Sequence, residues 1–151
     1  MFSYDTVVMD IPIIEDQSTD HSDDRAAITA LIADIERGFN SNDADLLTSP
    51  LAGNASTVNV VGMHTADRDA ALVTSRAGLG GPLRNEIADY ELADLLFIRP
   101  DVAVAHKHAW AIENGRRTTT APAMIALYVL VKHDGRWWVV ARQNTATQTS
   151  Q

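Results

Sequence analysis

From residue 85 onward the chain reads in twos. Four runs of strand-forming residues with alternating side chains occupy 85–98, 102–113, 117–132 and 136–147, and turn signals separate them: Arg99-Pro100-Asp101, Asn114-Gly115 and Asp134-Gly135. Period-two runs divided by such breaks predict β-strands, and an Asp-Gly pair between β-rich runs is a strong hairpin signal because Gly accepts φ > 0. The run over 117–132 contains Pro122 and is expected to bend there. The four runs predict an antiparallel meander.

Before residue 85 the period is different. Ile28, Leu31, Ile32, Ile35 and Phe39 recur at helical spacing behind Ser22, a candidate cap, and behind Asp23 and Asp24, which suit the positive end of a helix dipole. A helix from Ser22 follows, and burying such side chains contributes roughly 1.5–3 kcal/mol each, so it is expected to lie across the sheet. Ser41-Asn42-Asp43 breaks the pattern, a short helix over 44–48 stops before Pro50, and 56–61 reads as a strand ended by Gly62. A third helix is predicted over 66–77, apolar at Ala66, Ala70, Val73 and Ala77, and the run Gly78 to Pro82 ends it. Helices gathered on one side of a long, bent antiparallel sheet define an α+β fold shaped as a cone with an open mouth, and the interior of such a cone is a pocket.

Composition narrows the picture. The 151 residues fit one domain, expected to span 22–147 with a short tail at 148–151. The net charge of −8 is concentrated: residues 1–24 hold seven acids and no Lys or Arg, whereas the remaining 13 acids face 12 bases. The acidity therefore belongs to an arm over 1–21, expected to be solvated and mobile, with docking of Val7 to Ile14 on a neighbouring subunit as the alternative. No basic stripe points to nucleic acid, no apolar run approaches the ~20 residues of a membrane span, and no basic leader precedes an apolar segment. A cytoplasmic protein is expected. Cysteine is absent, which removes disulfides, thiolate nucleophiles and cysteine-ligated metals.

Several landmarks fall in order with characteristic spacing: a helix ending Gly38-Phe39-Asn40-Ser41-Asn42-Asp43-Ala44, a strand over Thr57 to Gly62, the segment Arg99 to His106, and Asp134 to Thr145. Together, over 23–145, they resemble the SgcJ/EcaC-type branch of the nuclear-transport-factor-2-like (SnoaL-like) superfamily. The resemblance implies the cystatin-like cone, a homodimer packed through the sheet, and a pocket for a small, largely hydrophobic molecule. It carries an oxidoreductase label that this chain does not support: in Gly78 to Leu83, Leu83 takes the third glycine position of the dinucleotide fingerprint, and a strand follows instead of a helix. No cofactor is expected. Ketosteroid isomerases of the same superfamily use a carboxylate base and two oxyanion donors. Their three positions fall here on Asn59, Ile35 and Ala126, so that set of roles is vacant.

Other residues carry candidate chemistry. His106 and His108 sit two apart on a predicted strand, about 6.6 Å along it and on one face, as a general acid/base pair. His106, His108 and Glu113 also resemble the first metal motif of cupins, but the expected preceding Gly and the second motif are missing, and no metal is expected. Candidate ligand contacts are Phe39, Asn59, His64, Tyr128, Trp138, Arg142 and Asn144. Trp138 would form a wall, Asn59, Tyr128 and Asn144 would orient a polar group, and Arg142, if it faces inward, needs a partner because a buried unpaired guanidinium costs several kcal/mol. The expectation is a binder of a small hydrophobic molecule, as a cofactor-independent isomerase, cyclase or hydratase-like enzyme on a polycyclic or polyketide-like compound. The alternatives are a non-catalytic dimeric interaction module and a cupin-like metalloprotein.

Overall fold

The computed structural model describes residues 9–147. The first helix, α1, runs Ser22–Asn40 and buries Ile28, Leu31, Ile32 and Ile35, the stripe that the periodicity marks. Ser22 is not its cap. It is already helical, and the Asp20 carboxylate accepts both its backbone N–H and its hydroxyl. The next helix, α2, is Ala44–Thr48, capped by Asp43, whose carboxylate accepts the Leu46 N–H. These two helices touch at Gly38, where a Cβ would lie 2.4 Å from the backbone nitrogen of Leu47.

The third helix, α3, is Arg68–Leu79, with Asp67 as its cap. Its buried face differs from the predicted one. Ala66, Ala70 and Ala77 are exposed and Val73 is 66% exposed, whereas Ala71 and Leu79 are buried. The inward stripe also carries Thr74 and Ser75, because it borders a cavity and not a dry core. An apolar count therefore selects the wrong side.

The described residues form seven strands: β1 (Leu51–Val58), β2 (His64–Thr65), β3 (Ile87–Arg99), β4 (Val102–Glu113), β5 (Arg116–Arg117), β6 (Met124–His133) and β7 (Arg136–Ala146). In the sheet they follow the order β2-β1-β7-β6-β4-β3, with β5 attached to β4. The meander β3-β4-β6-β7 is antiparallel, as the alternation predicts, but β1 joins β7 in parallel and the sheet is mixed. The strand expected at 56–61 starts at Leu51 and stops at Val58, where the Asn59 side chain takes over by accepting the N–H groups of Val61 and Met63. The run 117–132 is divided: Pro122 lies in the gap between β5 and β6. Asn114 and Gly115, then Asp134 and Gly135, all have positive φ, as tight hairpin turns demand.

Residues 9–20 form no helix or strand, and Ile13 is 89% exposed. Nonetheless Asp16 donates its N–H to the Phe97 carbonyl, and the His21 ring stacks on Phe97 at 4.1 Å. Most of the expected arm's docking segment is thus solvent-facing, while Val7, Val8 and the tail at 148–151 lie outside the described residues.

The core lies between α1 and the concave face of the sheet, where Phe97, Ala103, Ala105, Ala126, Tyr128, Leu130, Trp137 and Val139 meet the isoleucines of α1. The alanines at its centre let α1 approach closely. One bulge decides what else faces inward. Leu130 pairs with Val139 but Val129 pairs with Ala141, so Val140 is extra and the parity of β7 inverts across it. Trp137 and Val139 point inward before the bulge, and Arg142 and Asn144 after it.

Candidate functional site

On the concave face two adjacent rows cross the meander. One is Leu92, Lys107, Ala126 and Asn144, and the other is Leu95, Ala105, Tyr128 and Arg142. Lys107 alternates with the buried Ala105 and Ala109 on β4 and is itself only 2% exposed. Its ammonium donates to the Tyr128 hydroxyl at 3.1 Å and lies 3.6 Å above the centre of the Tyr90 ring. No carboxylate pairs with it among the described residues. Glu36, whose charge acts on the amine without touching it, accepts the Tyr90 N–H at 2.7 Å.

Burial pushes the Lys107 amine below its ordinary range, and Arg142 adds to that; Tyr128 and Glu36 act in the opposite direction. Burial also raises the Tyr90 phenol, which stays protonated. Withdrawing an ammonium from water costs on the order of several kcal/mol, and a phenol with an aromatic face returns only part of that. Packing alone favours Leu or Met at this position.

On the other side of Tyr128, with Lys107 off its lining, lies a narrow cavity of about 50 Å³ between β1, α3 and the β6–β7 wall, with Tyr128, Arg142, Asn59, Thr57, Thr65 and Ser75 on its walls. That volume holds a few water molecules at roughly 10–15 Å³ each. Thr57 and Thr65 hydroxyls bond to each other across β1 and β2. Arg142 has no hydrogen-bond acceptor among the described residues, and its Nε is fully buried without a partner. The Asn144 amide oxygen is likewise buried and unpartnered. The inward face therefore offers a guanidinium, an amine and a phenol, and among the described residues no carboxylate in contact with either cation.

The residues singled out in the sequence separate into two groups. Asn59, Tyr128 and Arg142 line the cavity, and Asn144 lies on the same face. Asn59 spends its amide oxygen on the β1–β2 turn, leaving its NH₂ as the group free to donate to a ligand. Phe39 is half-buried on α1, 6.2 Å from the Tyr90 ring, and does not reach the cavity lining. His64 is exposed on β2, and its Nε2 lies 2.7 Å from the Ser56 hydroxyl.

Trp138 faces the other side of the sheet. The bulge at Val140 places it there with Val140, Ala52 and Val131 around an open groove of about 400 Å³, with the Arg136 guanidinium stacked on its ring. Trp137, not Trp138, stands inside. Strand parity carried through the bulge without inversion gives the opposite assignment, and nothing in the local sequence marks the extra residue.

His106 and His108 do share a face, as their spacing requires, but it is the one away from the helices. There His106 pairs with Asp94 at 2.9 Å and is flanked by Leu127, while the His108 ring meets Trp110 edge-on at 6.1 Å. No group of three metal-ligating side chains assembles among the described residues. The residue between the two histidines, Lys107, is the one aimed inside. Its signal was present in the strand alternation, which puts a lysine in phase with Ala103, Ala105 and Ala109.

No protein-family profile and no curated protein matches the chain. Solved structures do. A protein of unknown function with a cystatin-like fold from Nostoc punctiforme is 20% identical over 85% of this chain and 80% of its own, with a TM-score of 0.75. A proposed scytalone dehydratase from Novosphingobium aromaticivorans is 21% identical over 84% and 86%, with a TM-score of 0.67. An NTF2-like protein of unknown function from Shewanella oneidensis is 13% identical over 81% and 98%, with a TM-score of 0.66. At these identities the likeness carries the architecture alone: the chain has the cystatin-like, nuclear-transport-factor-2-like fold.

Proposed function

We propose that the protein binds a small molecule bearing a carboxylate or another anionic oxygen inside the cone, and acts on it without a cofactor by acid/base chemistry of the isomerase, cyclase or hydratase type. The observation that carries this reading is Arg142, a guanidinium on the wall of a cavity with no acceptor among the described residues. An anionic ligand supplies the missing acceptor, and charge-assisted hydrogen bonds to it are worth about 1.5–3 kcal/mol each. Lys107 and Tyr128 then serve as the proton-transfer pair beside it. The histidine pair on the opposite face, His106 and His108, has no part in that cavity.

The cavity also bears on ligand size. Drug-sized ligands occupy pockets of roughly 300–1,000 Å³, far above the 50 Å³ present. A compact ligand fits this interior better than the polycyclic compound that family resemblance suggests. Thermal unfolding with a panel of small carboxylates tests the reading. Pyruvate, benzoate or a related acid is expected to raise Tm with saturation, and Arg142→Gln to abolish the rise. A flat response across the panel, or the same rise in Arg142→Gln, contradicts it.

A second reading, assembly as a homodimer through the open sheet face, is supported by exposed apolar side chains spread over that face of the meander, Leu127, Leu96 and Ile87. Sedimentation of Leu127→Glu against the parent chain checks it: a dimer that persists in both, or a monomer in both, counts against this face. The SgcJ/EcaC branch and a cytoplasmic location rest on the sequence landmarks and composition alone. No described helix is long and apolar enough to cross a membrane.

A further inference from the structure

We propose that Lys107 is a covalent catalyst: its amine forms an imine with the carbonyl group of a small oxo acid whose carboxylate is held by Arg142. The second half of that statement rests on the anion reading above; the first half stands on Lys107 itself. The chain has two lysines. Lys132 pairs with Asp24 at 2.9 Å, as surface lysines do. Lys107 instead lies inside the cone with a phenol hydroxyl as its hydrogen-bond partner and a tyrosine ring beneath it.

A nucleophilic amine must be neutral, and desolvation next to another cation is how proteins make it so. Burial is the largest influence on Lys107 and lowers its pKa; Arg142 acts in the same direction from farther off, and Tyr128 acts against both. The groups facing the amine are Tyr90 and Tyr128, with Arg142 and Glu36 farther off, and none of them is a carboxylate in contact. Tyr128 reaches both sides: its hydroxyl is on the amine and its side chain is on the cavity wall with Arg142. The two sites are therefore joined by one proton donor.

The chemistry balances with these groups. The Nζ lone pair attacks the carbonyl carbon, and the carbonyl π pair moves to oxygen, which takes the Tyr128 proton. The new ammonium returns a proton to the tyrosinate, giving a neutral carbinolamine. Tyr128 then protonates the carbinolamine hydroxyl, which leaves as water while the nitrogen pair forms C=N. The resulting iminium passes its proton back to Tyr128. The sum is amine plus carbonyl giving imine plus water, with no oxidant or reductant. The Asn144 amide oxygen, buried without a donor one row from Tyr128, is placed to accept from the carbinolamine hydroxyl.

Reductive trapping tests this. The intact protein is incubated near neutral pH with pyruvate or, separately, propanal, together with cyanoborohydride, and the modified peptide is mapped. Expected is one adduct on Lys107 with either reagent, leaving Lys132 unmodified. Labelling at 107 should vanish in Lys107→Arg and slow roughly a hundredfold in Tyr128→Phe, as for loss of a general acid. Arg142→Gln should lose about tenfold or more with pyruvate yet keep labelling by propanal. If neither reagent labels Lys107 in the unaltered protein although pyruvate raises Tm, the imine is refuted and the anion site stands. If propanal labels Lys107 but pyruvate neither binds nor depends on Arg142, the imine stands and the anion site is refuted. Modification of Lys132 or the N-terminal amine at the rate of Lys107 also overturns the proposal, because the interior amine then has no special reactivity.

Discussion

Lys107 sits where its same-face neighbours along β4, Ala105 and Ala109, are buried alanines, and its charge is the energetic anomaly of the concave face. Its folded-state pKa lies below the unfolded value of about 10.4, so between the two the unfolded chain binds more protons. Stability in that window rises with pH, and the destabilisation from this group is greatest where it is protonated in both states. Lys107→Met removes the titration while keeping an apolar stem of similar length. The stability advantage of Lys107→Met over the parent is therefore expected to shrink as the pH rises toward the unfolded value, as followed by chemical denaturation. A difference that is constant over that rise places the amine at its ordinary pKa and removes the basis for a neutral nucleophile. Tyr90, whose phenol burial raises, does not confound this comparison, since it is present in both proteins.

At the scale of elements, the bulge in β7 assigns each aromatic residue of the final hairpin to a side. Trp137 is buried against Phe97 and donates its indole N–H to Asp24, whereas Trp138 lies on the open face under Arg136. Trp137→Ala is expected to cost about 3–5 kcal/mol in urea denaturation and Trp138→Ala no more than about half of that, because less area leaves water. Equal losses would mean that the bulge is misplaced. The α1–α2 contact gives another decisive case. Ala normally gains about 1 kcal/mol over Gly inside a helix. At position 38, however, the added Cβ meets backbone atoms of Leu47, which no rotamer change relieves. Gly38→Ala is expected to destabilise by about 1–3 kcal/mol net, and a stabilised variant would show the two helices farther apart.

The whole molecule explains what its sequence revealed and what it concealed. Strands and α1 were legible because Ile28 to Ile35 and the 102–113 alternation bury contiguous faces, and period reports burial directly. The inward face of α3 was not, since Thr74 and Ser75 border a cavity and an apolar stripe is the wrong sign of contact there. The parallel pairing of β1 with β7 follows from chain reversal over α3 and the meander, which local patterning does not encode. The candidate site was read in part: Asn59, Tyr128 and Arg142 come together, while one unpredicted bulge moved Trp138 outside and strand parity put His106 and His108 on the far face. Lys107 is masked in the sequence by its two histidine neighbours, which carry the more familiar chemistry.

Arg142 is an interior guanidinium with no acceptor among the described residues, and the ¹⁵N–¹H resonance of its side-chain Nε, identified by its absence in Arg142→Gln, reports on that group alone. Titration with pyruvate is predicted to shift this resonance progressively to saturation, with the backbone amides of Thr57 and Tyr128 following the same curve. A resonance that stays in place at millimolar pyruvate while surface amides drift without saturation would contradict the account.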